Sequence, residues 1–236
     1  SPIMSDDADD VEDITSICGG LNINIGTLNK NTIPSMFLAG KKANELGHIV
    51  LLDPVGAGAS RLRTDTANRL MQEVRFDAVR GNISEIKTLC TGSGSTKGVD
   101  ADAVDAVTEA NLDDGVQLVK TFAQRAGCIV AVTGAIDLVS DGERCWCIRN
   151  GRAEMSRITG TGCQLSALMT AFLVANPDHK LDAAAAAVCM MGLAGEIGWA
   201  NMQPGDGNST YRNRIIDAIF NMTGDALEKG AKYELR

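Results

Sequence analysis

Basic residues are the minority charge in this chain: 22 Lys and Arg stand against 30 Asp and Glu, giving a formal net charge of −8. That balance argues against nucleic acid as a partner, since nothing in it supplies a basic face for phosphates. No apolar run reaches the length that crosses a bilayer, so the sequence predicts no membrane association. It opens on Ser1-Pro2 without a charged and then apolar leader, which predicts a chain that is not secreted, and without Met, which predicts residues upstream. Seven cysteines form no CxxC pair, and an odd count of this kind predicts reduced thiols in the cytoplasm. No Pro-rich or charged linker and no internal repeat divides the chain, so 1–236 is expected to be one domain.

What is present is an ordinary globular composition, 44% hydrophobic and 22% charged. Short apolar runs at 21–25, 49–53, 77–80 and 128–133 have the make-up of strands buried on both faces. Helical patterns lie between them. One runs from a cap at Asn31 or Thr32 to a stop at Gly47, a second covers 64–74, a third starts near Asn82, and a fourth spans 112–126 before Gly127. Alternation of this kind predicts an α/β fold of three layers, αβα, around a mainly parallel sheet. The pattern then changes: 136–140 and 144–149 flank Asp141-Gly142 and predict an antiparallel hairpin at the sheet's edge, with Cys145 and Cys147 on one face. Beyond it, helices are expected over 163–174, 182–200 and 210–228. The acidic run from Asp6 to Asp13 reads as the solvated first turn of a helix.

Four stretches carry candidate chemistry. Thr159-Gly160-Thr161-Gly162-Cys163 leads straight into an apolar helix, so its amides and the helix N-terminus can hold a phosphate or an oxyanion. A structural turn is the alternative. Cys163 falls in the first turn, where the helix dipole and a bound cation lower a thiol's pKa and make it a candidate base; a free cysteine packed under the helix is equally consistent. Asp53 closes an apolar strand, where open α/β sheets place their ligands, and suits a Mg²⁺ or a turn cap. Arg80 and Glu85 flank the third helix start; Asn82 and Glu85 could form a capping box, or Glu85 could serve Mg²⁺ while Arg80 meets phosphates. Thr133 ends the next strand and could bond a nucleotide phosphate. All of these stretches lie at strand ends on one side of one sheet. A Gly/Ser-rich stretch at 91–110 lacks the GxxxxGK[ST] order of a phosphate-binding loop and is expected to be an exposed loop.

SPIM at 1–4, LNINIGTLN at 21–29, LLDPVGAGA at 51–59, VRGNISEI at 79–86, AVTGAIDLVSDG at 131–142 and ITGTGC at 158–163 together resemble the hydroxyethylthiazole kinase family of the ribokinase-like superfamily. The resemblance covers nearly the whole chain. It implies a ribokinase-like fold and transfer of a phosphoryl group from ATP, with Mg²⁺, to the primary alcohol of 4-methyl-5-(2-hydroxyethyl)thiazole in thiamine biosynthesis. It implies that Arg80, Thr133 and the loop residues Gly160, Thr161 and Gly162 contact ATP, that Asp53 and Glu85 serve Mg²⁺, and that Met4 and Gly160 line the thiazole site with Cys163 as base. It also implies a homotrimer with active sites between subunits. Members of the family carry a further strand and helix ahead of the SPIM stretch, which this sequence does not include. Related kinases of hydroxymethylpyrimidine or pyridoxal, and a dehydratase of hydrated nicotinamide nucleotides, resemble proteins with Asp where this chain has Cys163. A nucleotide-binding regulatory module is the non-enzymatic alternative.

Overall fold

Side chains of Ile49–Asp53 (β2) point alternately to opposite faces of the sheet, and all five are buried, so this strand must be covered by helices on both sides. The computed structural model, which describes residues 1–91 and 106–236, shows that arrangement. Ahead of β2 come α1 (Val11–Ile17), β1 (Gly20–Asn24) and α2 (Thr32–Leu46); after it come α3 (Arg61–Glu73), β3 (Ala78–Asn82), α4 (Ile83–Thr91), α5 (Leu112–Ala126) and β4 (Ile129–Thr133). The hairpin β5 (Asp137–Ser140) and β6 (Cys145–Ile148) follows. Then come α6 (Thr161–Ala175), α7 (Lys180–Ala200), α8 (Asn208–Asn221), α9 (Gly224–Gly230) and β7 (Tyr233–Leu235).

The described strands form one sheet in the order β1 to β7. The first four run parallel and the last three antiparallel. One face carries Ile23, Val50, Leu52, Val79, Val130 and Leu138 against α2, α3, α4 and α5. The other carries Ile49, Leu51, Ala78, Ile129, Ala131 and Val139 against α6, α7 and α8. Each Val, Leu or Ile side chain among them, when fully buried, contributes about 1.5–3 kcal/mol. Cys145 and Cys147 share the first face, as their spacing predicts, and all seven cysteines are free.

Several boundaries differ from those the sequence suggests, each for a local reason. Asn31 occupies the cap position of α2 without a side-chain bond; instead Asn29 Oδ1 accepts from the amides of Asn31 and Thr32. Gly47 does end α2, at φ +70°, and Gly127 ends α5 at +65°. Helix α3 begins three residues early, because Ser60 Oγ accepts from the Arg63 amide. The 210–228 pattern breaks into α8 and α9, where Thr223 Oγ1 recaps the chain at Ala226. The acidic run mostly precedes α1, with only Glu12 and Asp13 in its first turn. Strand β7 was not anticipated; it takes the edge position beside β6, so the hairpin lies one strand inside it. Most of the 91–110 stretch lies outside the described residues.

Helix α7 is long and apolar enough by composition to cross a membrane, against the expectation from the sequence, yet 67% of its most apolar window is buried inside the protein. Its run from Ala183 to Ala187 packs into the second core, which is the environment of a central helix in an α/β protein.

Candidate active site

Strand alternation sets up the site. Ile23 faces α2, so Asn24 faces α6; by the same parity Asp53 follows Leu51, Arg80 follows Ala78, and Thr133 follows Ala131 onto the α6 face. The parallel register places Asn24 beside Asp53 and Asn82 beside Thr133. Four polar side chains therefore stand in a row at the carboxyl ends of β1 to β4, under the start of α6.

Asp53 is the centre of this row and is fully buried. Its Oδ2 accepts from Asn24 Nδ2 at 2.8 Å and from Ser166 Oγ at 2.9 Å. Its Oδ1 has no hydrogen-bond partner and lies 3.6 Å from Arg80 Nη1. Burial raises the Asp53 pKa, and the Arg80 charge opposes that rise. Arg80 in turn donates through Nη2 to Thr133 Oγ1 at 2.6 Å.

Glu85 opens α4 and is buried as well. Its Oε1 accepts from the Gly56 amide and its Oε2 from the Asn82 amide, both at 2.7 Å, while Asn82 Oδ1 accepts from the Glu85 amide at 2.8 Å. The capping box read in the sequence is thus present, and it also ties the β2 exit to the β3 exit. Burial raises the Glu85 pKa; the two amides and Arg80 oppose the rise, while the Asp53 charge adds to it.

Above the row, Gly160 takes φ +95°, a conformation strained for any side chain, and starts α6 without a side-chain cap. The amides of Thr161, Gly162 and Cys163 precede the first intrahelical bond, from Gln164 N to Gly160 O, and are the donors a helix start leaves open. Gly162 is pressed against Arg80, where a Cβ would lie 2.5 Å from Nη1. An amide-rich turn, a helix N-terminus and a guanidinium therefore converge, which is an arrangement that binds an anion.

Cys163 is exposed at the rim and its thiol meets Asn24 and Asp53. The expectation of a lowered thiol pKa is corrected here: partial burial raises it, the Asp53 charge raises it further, and the Asn24 contact only partly offsets them. Desolvation is the main cause, with the Asp53 and Glu85 charges adding to it and Arg80 opposing.

Of the residues singled out from the sequence, Asp53, Arg80, Glu85, Thr133, Gly160, Thr161, Gly162 and Cys163 meet in one place. Met4 stands apart: it lies ahead of α1 and is 94% exposed, with nothing of this chain packed over it. Asn24 and Ser166 were missed. Their signals were a polar residue ending an apolar strand in register with Asp53, and a hydroxyl three residues after Cys163 on one helical face. Asp137 was also overlooked as a titrating group; it accepts from the Gly134 amide at 2.8 Å, and desolvation pushes it up to about 7, with Arg80 pulling the other way. Among the described residues no cluster of three or more His, Cys, Asp or Glu could hold a metal ion by itself.

Comparison with known proteins shows the family. The sequence pattern of the hydroxyethylthiazole kinase family matches residues 1–225. A hydroxyethylthiazole kinase of Clostridium acetobutylicum is 55% identical over 234 residues, covering 99% of this chain and 86% of that protein. One from Clostridium beijerinckii is 46% identical, covering 99% and 83%. The solved structure of a hydroxyethylthiazole kinase from Pyrococcus horikoshii superimposes with a TM-score of 0.86 at 30% identity, covering 100% of this chain and 84% of that one. A pyridoxal kinase from Staphylococcus aureus in complex with ADP shares the fold at a TM-score of 0.61 and 17% identity, covering 96% and 76%.

Proposed function

This chain belongs to the hydroxyethylthiazole kinase family, and from that membership we propose that it transfers the γ-phosphoryl group of ATP to the primary alcohol of 4-methyl-5-(2-hydroxyethyl)thiazole, a step of thiamine biosynthesis or salvage. It is a kinase by family and by fold. The observation that carries the residue assignment is the meeting of the Arg80–Thr133 pair, the Asp53 and Glu85 carboxylates and Cys163 beneath the open amides of α6.

In this reading Arg80 and Thr133 bind the nucleotide's phosphates, and the amides from Gly160 to Cys163 cradle the group in transfer. Phosphoryl transfer passes through a loose transition state, so fixed donors aimed at the developing charge contribute more than any base. Mg²⁺ fits the residues present. Asp53 Oδ1 is a buried oxygen without a hydrogen bond, and Glu85 adds a second buried carboxylate whose oxygens each hold one amide. Two carboxylates are too few to bind the ion alone, but Mg²⁺ commonly takes one or two together with phosphates and water. Its chemistry there is to neutralise phosphate charge.

Cys163 holds the acceptor alcohol. Burial and the Asp53 charge raise its pKa, so its main part is to orient the hydroxyl, and only its thiolate form can take the hydroxyl proton as the new P–O bond forms and the bond to ADP breaks. Asn24, which touches both Cys163 and Asp53, keeps that sulfur in place. Kinases of hydroxymethylpyrimidine or pyridoxal and the nicotinamide-nucleotide dehydratase are not favoured, since each resembles proteins with Asp at the position of Cys163.

The same reading takes the active protein to be a cytoplasmic homotrimer of single-domain subunits with sites at their interfaces. Met4 supports it: a large apolar side chain left 94% exposed is the kind of residue a neighbouring subunit covers, and the thiazole site would include it. Acceptor-dependent ADP release tests the proposal, and sedimentation tests the trimer.

A further inference from the structure

Arg63, on the first turn of α3, belongs to none of the groups assigned above, yet its guanidinium joins two of the turns that build the site. Nη1 donates to the Val55 carbonyl and Nη2 to the Gly26 carbonyl, each at 2.8 Å. Val55 lies two residues past Asp53 at the exit of β2, and Gly26 two residues past Asn24 at the exit of β1. Both turns are further tied to those residues: the Gly26 amide donates to the Asn24 side-chain Oδ1 at 2.8 Å, and the Val55 amide to the Asp53 backbone carbonyl at 2.9 Å.

A third link runs through Gly56. Its φ of +74° suits glycine alone, and a Cβ there would sit 2.6 Å from Arg63 Nη1, so the guanidinium packs closely against the glycine. The Gly56 amide is the donor to Glu85 Oε1. One planar fork thereby holds the exits of β1 and β2 in a single frame, while Glu85 beyond Gly56 keeps its own anchor through the Asn82 amide. Both hydrogen bonds of this cation go to carbonyls and neither to a carboxylate, so they set geometry and do not neutralise a charge. Lysine, a compact point charge on a flexible stem, cannot span two carbonyls in this way.

The frame has a side. Asn24, at the β1 exit, meets Cys163, whereas Arg80, midway along β3, and Thr133, at the end of β4, lie on strands the clamp does not hold. We propose that Arg63 is a positioning residue for the acceptor half of the site: by clamping the Gly26 turn to the Asp53–Gly58 turn it sets where the alcohol sits relative to Cys163, without touching the substrate. This rests on the kinase reading given above.

The test compares wild type, Arg63→Ala and Arg63→Lys as full chains. Separate KM values for the thiazole alcohol and ATP, Tm, and amide hydrogen exchange over residues 25–30 and 54–58 are measured. Displacement of a reacting group by an ångström costs up to about a hundredfold, so both variants should lose about tenfold to a hundredfold in kcat/KM for the alcohol. KM for ATP should stay within about twofold, a small fraction of the tenfold that 1.4 kcal/mol produces. Millimolar guanidinium should restore part of the activity of Arg63→Ala where sodium chloride of equal ionic strength does not, and exchange should quicken in those two segments alone. Unchanged kcat/KM for the alcohol in both variants, or KM for ATP rising as far as that for the alcohol, overturns the proposal. If the wild type itself transfers no phosphate, the kinase reading fails, while the exchange measurement still decides the clamp: unaltered protection in both turns of Arg63→Lys and Arg63→Ala refutes it.

Discussion

Gly162 and the Arg80 guanidinium are in such close approach that any Cβ at position 162 would come within 2.5 Å of Nη1. The loop glycine is therefore a packing requirement of Arg80, the residue proposed to bind the nucleotide's phosphates. Arg80 cannot simply swing aside, because Thr133 and Asp53 hold it on its far side. Gly162→Ala is expected to raise KM for ATP by about tenfold, equivalent to about 1.4 kcal/mol, with little change in KM for the alcohol. Steady-state kinetics with each substrate varied in turn checks this.

Gly160 should behave differently. Nothing lies within 4 Å of a Cβ built there, so Gly160→Ala meets no neighbour, but its φ of +95° is strained for a side chain. Moving an L-residue into left-handed backbone costs about 1–2 kcal/mol. The variant should lose that much stability in a denaturant titration, and its activity should fall because the loop relaxes.

Replacing Arg80 by Met should be among the most damaging single changes. It leaves Asp53, fully buried, without its only counter-charge among the described residues, and breaking a buried ion pair from one side costs about 3–5 kcal/mol. Adding Asp53→Asn to Arg80→Met should recover part of that loss. Chemical unfolding of both singles and the double measures it; strict additivity would contradict the pairing.

Cys163→Ala should lower kcat while leaving nucleotide affinity nearly intact, because the amides and Arg80 remain. Cys163→Asp should retain more activity than Cys163→Ala, since a carboxylate can do the same work. Nucleotide binding by calorimetry alongside kcat separates the roles, and loss of ATP binding in Cys163→Ala would contradict them.

Asp137 supplies a pH dependence whose sign follows from its folded pKa of about 7 against the ordinary aspartate value of 3.8. Between those values the folded state holds a proton that the unfolded state has released, so stability declines as pH rises through that window and levels off above about 7. Arg80 and the Cys189 thiol are the titratable groups coupled to it. Asp137→Asn keeps an oxygen for the Gly134 amide and removes the titration. Its Tm relative to wild type should therefore be more favourable at about pH 8 than at about pH 5. An equal difference at both pH values would refute this.

Much of the fold was legible because its signals are local. The run 49–53 announces a doubly covered strand, Gly47 and Gly127 announce helix ends, and Asp141-Gly142 announces a hairpin. What stayed hidden depends on distant partners. The short β7 has no pattern of its own and exists because β6 offers it an edge. The division of α8 from α9 rests on one threonine hydroxyl. In the site, Asp53, Arg80, Glu85, Thr133 and Cys163 could be singled out because each stands beside a strand end or a glycine turn. Asn24 and Ser166 carried only weak local signals and Arg63 none, because their roles are contacts across 29, 113 and 37 residues of sequence. The direction of the Cys163 pKa was hidden too, since burial of the thiol by the folded chain and then the Asp53 charge from another strand set it.

The most direct test of the whole account is ADP release by the purified protein with Mg-ATP, comparing 4-methyl-5-(2-hydroxyethyl)thiazole with pyridoxal, a hydroxymethylpyrimidine and no acceptor. The account predicts release that depends on the thiazole and stays near background with the other three. Background release with the thiazole, or equal release with pyridoxal or the pyrimidine, would contradict it.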